Sequence, residues 1–156
     1  MDKNPSISIA PIVRPSDAQR ECVNKLLRTH NQTSNQRYWD ALDKAENAAI
    51  PVELFVFDPK GEIVGGLFGE IRFKWLKVSI MAIRDDLRRH GIGTQLLARA
   101  EQDAIDKGCK YSYVDTMEYQ APGFYEKAGY TLAGVLEDWD SHGHKKLFFT
   151  KRLRQA

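Results

Sequence analysis

The sequence predicts a single α/β domain over residues 1–156, with a mixed, mostly antiparallel sheet of about seven strands and about four helices. Short β-branched and apolar runs mark the strands, and longer runs with apolar residues every three or four positions mark the helices. Their order is β-αα-βββ-α-β-α-ββ, which interleaves the two kinds of element as α/β domains do. A chain of 156 residues can bury one sizeable core and is too short for two ordinary domains.

The amino-terminal part of the chain predicts one strand and two helices. Their ranges are 7–13 for the strand, about 17–29 for the first helix and about 36–48 for the second, with polar residues at 31–35 between them. Pro15-Ser-Asp17 supplies a turn and a cap for the first helix, and Pro51 ends the second.

Three strands are predicted next, at 53–57, 62–71 and 78–83. The first two form a hairpin through Asp58-Pro-Lys-Gly61, whose proline and glycine fit a tight turn. Gly65, Gly66 and Gly69 lie inside the second of these strands, where glycine is costly unless another group approaches closely or the strand bends. We therefore expect a bend or a close approach in this strand.

The carboxy-terminal part predicts two helices that alternate with strands. The ranges are 91–107 for a helix, 111–115 for a strand, 121–128 for a short helix, and 130–136 and 145–153 for a closing antiparallel pair. Gly108 is placed as the C-cap of the long helix, and Pro122 suits the first turn of the short one.

A basic, glycine-containing loop joins the strand at 78–83 to the long helix. Gly91 and Gly93 let the backbone adopt positive φ and approach a ligand, and the first amides of the helix have no acceptor within it. Two arginines and one histidine precede these glycines, so the pattern indicates a phosphate or pyrophosphate site. The alternative is a helix entry with solvated basic residues. A Rossmann fingerprint would need a third glycine where Leu96 stands, and a P-loop would need Gly-Lys-Ser/Thr, so neither motif fits.

The loop resembles the acetyl-coenzyme A loop of the GNAT N-acetyltransferase superfamily. Its signature Gln/Arg-x-x-Gly-x-Gly/Ala is matched at every specified position by Arg88-Arg-His-Gly-Ile-Gly93. The similarity extends over about residues 63–153 and looks like a bacterial small-acceptor subgroup; its further motifs are Asp115-Thr116, Gln120-Ala-Pro-Gly-Phe-Tyr-Glu-Lys-Ala-Gly-Tyr130, Gly134-Val-Leu-Glu-Asp138 and Gly143-His144. The resemblance implies a V-shaped split between the fourth and fifth strands, which holds the pantetheine arm of the cofactor.

The resemblance also implies acetyl-CoA as the co-substrate and assigns residues to it. The expected cofactor-binding residues are Met81, Ala82, Ile83, Arg88, Arg89, His90, Gly91, Ile92, Gly93, Thr94, Gln120 and Tyr125. Backbone amides of the fourth strand would hold the pantetheine, and the amide side chain of Gln120 would hydrogen-bond to it. The polar and aromatic segment 31–40 lies where the family builds its acceptor-binding helices, although ordinary helix surface is the alternative.

Catalysis by this family needs a proton donor for the thiolate and a proton acceptor for the amine. Tyr125 stands at the position that the family commonly uses as the acid, and the alternative is that it only packs the short helix against the sheet. The carboxylate that relatives frequently carry in the fourth strand is absent, because Lys77, Val78 and Ser79 stand there. The remaining candidates for the base are Glu70, Asp115, Glu118 and His144, directly or through a water. For His144, which belongs to the Gly143-His144 motif, a substrate-binding or structural role is the alternative that the resemblance favours.

The predicted function is transfer of an acetyl group from acetyl-CoA to a primary amine of a small molecule or peptide. Direct attack in a ternary complex is expected because no cysteine lies where a covalent relay would be. The alternative is a non-catalytic acyl-CoA sensor or interaction module of the same fold. A net charge of only +2 disfavours nucleic acid as a partner.

Several other properties are expected from composition. Cys22 and Cys109 lack a CxxC spacing, and His142 with His144 lacks a third ligand, so no metal site is predicted. No apolar run is long enough to span a membrane, which makes a cytoplasmic location the expectation. Apolar residues in the two closing strands favour a homodimer; they are Leu132, Val135, Leu147, Phe148 and Phe149.

Overall fold

The computed structural model describes residues 8–9, 11–42 and 44–153. The chain divides into two compact units, Met1–Ala45 and Glu46–Ala156. The described part of the first unit contains helices α1 (Asp17–Ser34) and α2 (Gln36–Leu42). Short 3₁₀ turns occur at Ala45–Asn47 and Asp85–Leu87. None of the described helices is long and apolar enough to cross a membrane.

Helix α1 starts where the sequence places it. The Ser16 hydroxyl accepts the Gln19 N–H at 3.2 Å, and the Gln19 side chain accepts the Ser16 N–H at 2.9 Å, which forms a reciprocal capping box. The helix continues through residues 31–34, which the sequence had marked as a break. Residues 32–34 are polar and exposed, which a helix tolerates. The last turn is completed by a hydrogen bond from the Asn35 N–H to Asn31 O at 2.8 Å.

The strand expected at 7–13 differs from the structure. Residues 8, 9 and 11–13 contain no strand, while Ile7 and Ala10 lie outside the described residues. Pro11 has no N–H to donate to a ladder, which explains why alternation alone was misleading there. The described residues therefore form six strands and not seven.

The second unit is built on one six-stranded mixed sheet. The strands are β1 (Ile50–Phe57), β2 (Ile63–Arg72), β3 (Trp75–Ile83), β4 (Tyr111–Met117), β5 (Thr131–Leu136) and β6 (Lys146–Arg152). Their order across the sheet is β1-β2-β3-β4-β6-β5, and every neighbouring pair is antiparallel except β3 with β4. The remaining helices are α3 (Ile92–Asp106) and α4 (Pro122–Lys127).

Helix α3 supplies much of the cover for one face of the sheet. It buries Leu96, Leu97, Ala100 and Ala104, which recur at the spacing of one helical face. These side chains belong to one apolar cluster with strand residues that include Leu67, Leu76, Val78, Val114 and Phe149. The helix ends at Asp106, and Gly108 two residues later has a φ of 80° and donates its N–H to Ile105 O, as predicted for a glycine that closes the helix. The packed helix fixes the position of the loop at its amino terminus.

Candidate active site

Strands β3 and β4 pair over only part of their length. The parallel ladder runs from Trp75 opposite Tyr111 to Val78 opposite Val114, and the pairing then ends. Strand β3 nevertheless continues to Ile83, and β4 continues to Met117. The two strands thus diverge at their carboxyl ends, which confirms the predicted V-shaped split.

A bulge in β3 lies at the point where the two strands separate. In the β2–β3 register Phe68 faces Ile80 and Gly69 faces Val78, so Ser79 is an extra residue on β3. A Cβ on Gly69 would overlap the carbonyl oxygen of Lys77, which explains the costly glycine inside this strand. Because a bulge bends its strand, we attribute the divergence of β3 from β4 to this insertion.

The opening between the strands is a cleft of about 770 Å³. Eleven of the predicted cofactor-binding residues line it: Met81, Ala82, Ile83, Arg88, Arg89, Gly91, Ile92, Gly93, Thr94, Gln120 and Tyr125. The lining also includes Ser79, Leu87, Asp115, Thr116, Tyr119 and Phe124, which the cofactor prediction did not contain. His90 is not among the lining residues. The cleft therefore brings the strand, the loop and the short helix to one place.

The glycine loop presents unpaired backbone donors at the end of this cleft. Gly91 is the N-cap of α3 with φ of 78°, and the first bond of the helix is donated by the Gln95 N–H to Gly91 O at 3.0 Å. The amides of residues 92–94 consequently have no acceptor within the helix. Arg89 adds a positive charge and pairs with no carboxylate in the described part of the chain. This arrangement suits an anion.

Arg88 has a different contact pattern from Arg89. Its Nε donates to the carbonyl of Ile83 at 3.2 Å, and its guanidinium lies 2.7 Å from Asp85. The side chain thereby fastens the loop to the last residue of β3. Its charge is shared with Asp85, so we assign Arg89 the larger part of any attraction for a phosphate in this cleft.

Gln120 is held in one orientation before α4. Its Oε1 accepts the Met117 N–H at 2.9 Å and the buried Thr116 hydroxyl at 2.8 Å. A backbone N–H can only donate, which identifies the accepting atom as the oxygen. The Nε2 group therefore remains available as a donor, and because Gln120 lines the cleft it suits a ligand that carries a carbonyl oxygen.

Tyr125 is the buried residue of α4, with 7% of its surface exposed. Its ring packs against Phe124, Tyr130 and Phe149, at centroid distances of 5.2, 5.8 and 6.2 Å. Burial, and to a smaller extent the negative charge of Asp115, raises the pKa of the Tyr125 phenol above its ordinary value. No described residue hydrogen-bonds to its hydroxyl. Tyr125 thus packs in the core and presents a protonated phenol to the cleft.

The candidates for the base lie in different surroundings. Glu70 is exposed on β2, opposite Lys77, and does not line the cleft. Asp115 lines the cleft but pairs with Lys146 at 2.7 Å, and Glu118 accepts the Lys145 N–H at 3.0 Å. His144 does not line the cleft either, although its ring lies 5.0 Å from that of the lining residue Tyr119. The described residues contain no group of three or more side chains suited to a metal ion.

Comparison with known proteins places this site in a family. The model of the acetyltransferase (GNAT) domain matches residues 51–132. Blasticidin-S acetyltransferase of Streptomyces morookaense is 42% identical over 95 residues, which cover 58% of this chain and 70% of that protein. The chain belongs to the GNAT acetyltransferase family. It is accordingly an acetyl-CoA-dependent N-acetyltransferase.

Solved structures of other GNAT proteins agree with this assignment. An acetyltransferase from Bacillus cereus ATCC 14579 has a TM-score of 0.72 and 31% identity, covering 92% of this chain and 98% of that one. An acetyltransferase structure from Bacillus anthracis str. Ames, solved in complex with acetyl coenzyme A, has a TM-score of 0.57 over 64% of this chain and 61% of its own. At 17% identity it shares the GNAT fold alone.

Sequence reasoning missed some residues of this GNAT site. Tyr119 carried no motif of its own, and Ser79 became important only through the strand register. Asp140, whose carboxylate lies 2.6 Å from His144 Nδ1, is not among the residues that the sequence predicted for the site. The spacing of four residues between Asp140 and His144 was the available signal, but such a spacing is meaningful only once the loop conformation is known. The roles assigned to Glu70, His90 and the cleft residues remain predictions.

Proposed function

We propose that this enzyme transfers the acetyl group of acetyl-CoA to a primary amine of a small molecule by direct attack in a ternary complex. The observation that carries the proposal is that the diverging strands, the glycine loop and Tyr125 border one cleft. Each supplies one requirement of acetyl transfer: a groove for the thioester arm, donors for the phosphates and an acid for the leaving thiolate.

In the proposed complex the pyrophosphate lies on the amides of Ile92, Gly93 and Thr94, next to the Arg89 guanidinium. The pantetheine arm runs along Met81–Ile83, whose backbone is not paired with β4 on the cleft side. The Nε2 group of Gln120 donates to an amide carbonyl of that arm. The first amides of α3, the cleft side of Met81–Ile83 and the Gln120 Nε2 group are all left available by the hydrogen bonds of the fold.

The chemical step joins the amine nitrogen to the thioester carbon. A neutral amine attacks the carbonyl, and a tetrahedral intermediate with a positive nitrogen and a negative oxygen forms. Its collapse breaks the carbon–sulfur bond and sends the electron pair to sulfur, which takes the proton of the Tyr125 hydroxyl. The phenolate regains a proton from the acylated nitrogen, directly or through water, so that amide and free thiol are the products.

A small-molecule acceptor is supported by a relative named blasticidin-S acetyltransferase, 42% identical over the matched part. A peptide amine is the alternative acceptor that the same chemistry would serve. A sensor that binds acyl-CoA without turnover is the alternative from another class. The test is release of free coenzyme A from acetyl-CoA over a panel of amines: blasticidin S, streptothricin, aminoglycosides, polyamines and peptide amino termini.

Turnover with at least one small amine is the expected result, and mass spectrometry should show one added acetyl group on the nitrogen. Acetyl-CoA that binds in calorimetry without turnover on any amine would instead favour the sensor. Turnover restricted to peptides would replace the small-molecule acceptor by a peptide.

A further inference from the structure

The connection between β5 and β6 holds an aspartate and a histidine in contact. Asp140 Oδ2 lies 2.6 Å from His144 Nδ1, and Asp140 Oδ1 accepts the N–H groups of His142 at 2.9 Å and of His144 at 3.2 Å. One carboxylate therefore fixes both the backbone and the imidazole of His144. Neither the family signature nor the cofactor assignments include Asp140.

Further bonds hold this connection in a single conformation. The Asp138 carboxylate accepts the Gly143 N–H at 2.6 Å, and the Trp139 N–H donates to His144 O at 2.8 Å. Asp138 and Ser141 adopt positive φ values of 47° and 61°, which non-glycine residues take up only where the surroundings compensate. The imidazole is thus positioned by a rigid loop.

The same loop is tied to the turn that borders the cleft. Lys145 and Glu118 exchange two hydrogen bonds, from the Lys145 N–H to the Glu118 carboxylate and from the Glu118 N–H to Lys145 O, both at 3.0 Å. The neighbouring residue Tyr119 lines the cleft and meets the His144 ring edge to face at 5.0 Å. His144 does not line the cleft itself but consequently contacts a residue that does.

The contact with Asp140 decides which nitrogen of His144 is available. A carboxylate on Nδ1 selects the tautomer with its proton there and leaves the lone pair on Nε2. The side chain is 46% exposed, so solutes can reach the imidazole. Desolvation opposes the charged form of Asp140, but the bonds from His142 and His144 outweigh it and lower the pKa of the Asp140 carboxyl. Asp140 is therefore ionised at neutral pH.

The other charged or titratable groups around His144 come from two elements. Tyr119 meets it from the turn before α4, where Glu118 accepts the Lys145 N–H, while Asp138, His142 and Lys145 belong to the same connection. Lys145 is paired with Glu137 at 3.1 Å, which balances its charge. An imidazolium at His144 would be balanced by Asp140 directly.

We infer that His144 Nε2 accepts the proton of the substrate ammonium and that Asp140 is the positioning residue that orients the imidazole and balances its charge. The inference rests on the proposed function, since it supplies the base for that reaction. The ammonium nitrogen gives its proton to Nε2, directly or through one water, and keeps its electron pair for the attack on the thioester. The imidazolium then returns the proton to solvent after product leaves.

The test compares matched variants of the full chain with one amine substrate over pH 6 to 10. His144→Asn keeps a donor toward Asp140 but removes the proton acceptor, and Asp140→Asn keeps the shape but removes the charge. His142→Asn is the control, since it retains the backbone N–H that Asp140 uses and a side-chain donor toward the Asp140 carbonyl oxygen, which lies 2.7 Å from His142 Nδ1. We expect kcat/KM for the amine at pH 7 to fall on the order of 10²-fold in His144→Asn and about tenfold in Asp140→Asn.

Two readouts separate proton transfer from a merely structural role. The loss should shrink as pH rises toward the pKa of the substrate amine, because the amine then arrives neutral, while KM for acetyl-CoA stays unchanged. Added imidazole should restore part of the rate of His144→Ala. Parent-like pH profiles for His144→Asn and Asp140→Asn, or equal losses at every pH without rescue by imidazole, would overturn the inference. Absence of turnover in the parent chain would count against the proposed function itself.

Discussion

Gly69 on β2 lies against the carbonyl oxygen of Lys77 on β3, and a Cβ at this position would overlap that oxygen. The contact occurs beside the extra residue Ser79, at the start of the split between β3 and β4. The glycine therefore permits the bulge that opens the cleft, and its replacement should affect stability and cofactor binding together.

We expect Gly69→Ala to lower the free energy of unfolding by about 1–3 kcal/mol, as overpacking typically does, and to weaken acetyl-CoA binding. Urea denaturation and calorimetry measure the two effects. Gly134→Ala is the matched control, because Gly134 also lies in a strand but a Cβ there would meet no atom within 4 Å. Equal free energies of unfolding for the two variants would mean that the close contact between Gly69 and Lys77 does not exclude a Cβ.

The second prediction concerns the loop at the start of α3. Gly91→Val should weaken acetyl-CoA binding by about tenfold or more, because a β-branched residue resists the positive φ that aims the first amides of the helix. Gly61→Val is the control, since Gly61 has a similar φ of 83° in the β1–β2 turn and does not line the cleft. Calorimetry should show reduced affinity only in the Gly91 variant. Reduced affinity in both would point to general destabilisation.

The third prediction is a loss of turnover in Tyr125→Phe. The ring and its packing remain while the hydroxyl is removed, so kcat should drop on the order of 10²- to 10⁴-fold with little change in acetyl-CoA affinity. Tyr130→Phe removes a buried hydroxyl that bonds to Ser112 at 2.8 Å, and it should cost about 1 kcal/mol of stability without a comparable loss of turnover. Steady-state kinetics with the chemical step shown to limit the rate provides the measurement. Parent-like kcat in Tyr125→Phe would make Tyr125 a packing residue only.

The fourth prediction is a homodimer. Strand β5 ends the sheet order, and Leu132, Val135 and Leu136 on it are between 38% and 47% exposed. Phe149, which the sequence had suggested for the same surface, is instead buried in the core. Light scattering at micromolar concentration should give twice the 17.8 kDa mass of the chain. Val135→Lys should shift the mass toward that of one chain. A single-chain mass for the parent protein would contradict the dimer.

The sequence was most informative where local chemistry sets the structure. Gly91, Gly108 and the turn at Asp58–Gly61 were placed correctly because positive φ and tight turns restrict the choice of residue. The periodic apolar residues of α3 likewise determined its buried face. These features depend on a few neighbouring residues, so a single sequence contains them.

Features that depend on pairing between distant segments were less accessible. The glycines of β2 indicated a bend, but the extra residue on β3 became visible only in the register of two strands. Asp140 and His144 are in contact because an irregular loop folds back on itself, and the spacing of apolar residues does not predict such a loop. At 7–13 an alternating pattern predicted a strand without weighing Pro11, which has no donor for a ladder.

The bond from the Arg88 side chain to the carbonyl of Ile83 links the glycine loop to the end of β3. It connects the end of β3, along which the pantetheine arm would run, with the loop that would hold the phosphates, and so helps to set the spacing between these two regions. An acetyl donor must match this spacing if its arm is to lie on β3 while its phosphates lie on the glycine loop. A truncated thioester that lacks the nucleotide would reach the strand and leave the loop empty, and it would lose the contacts that set its position along the groove.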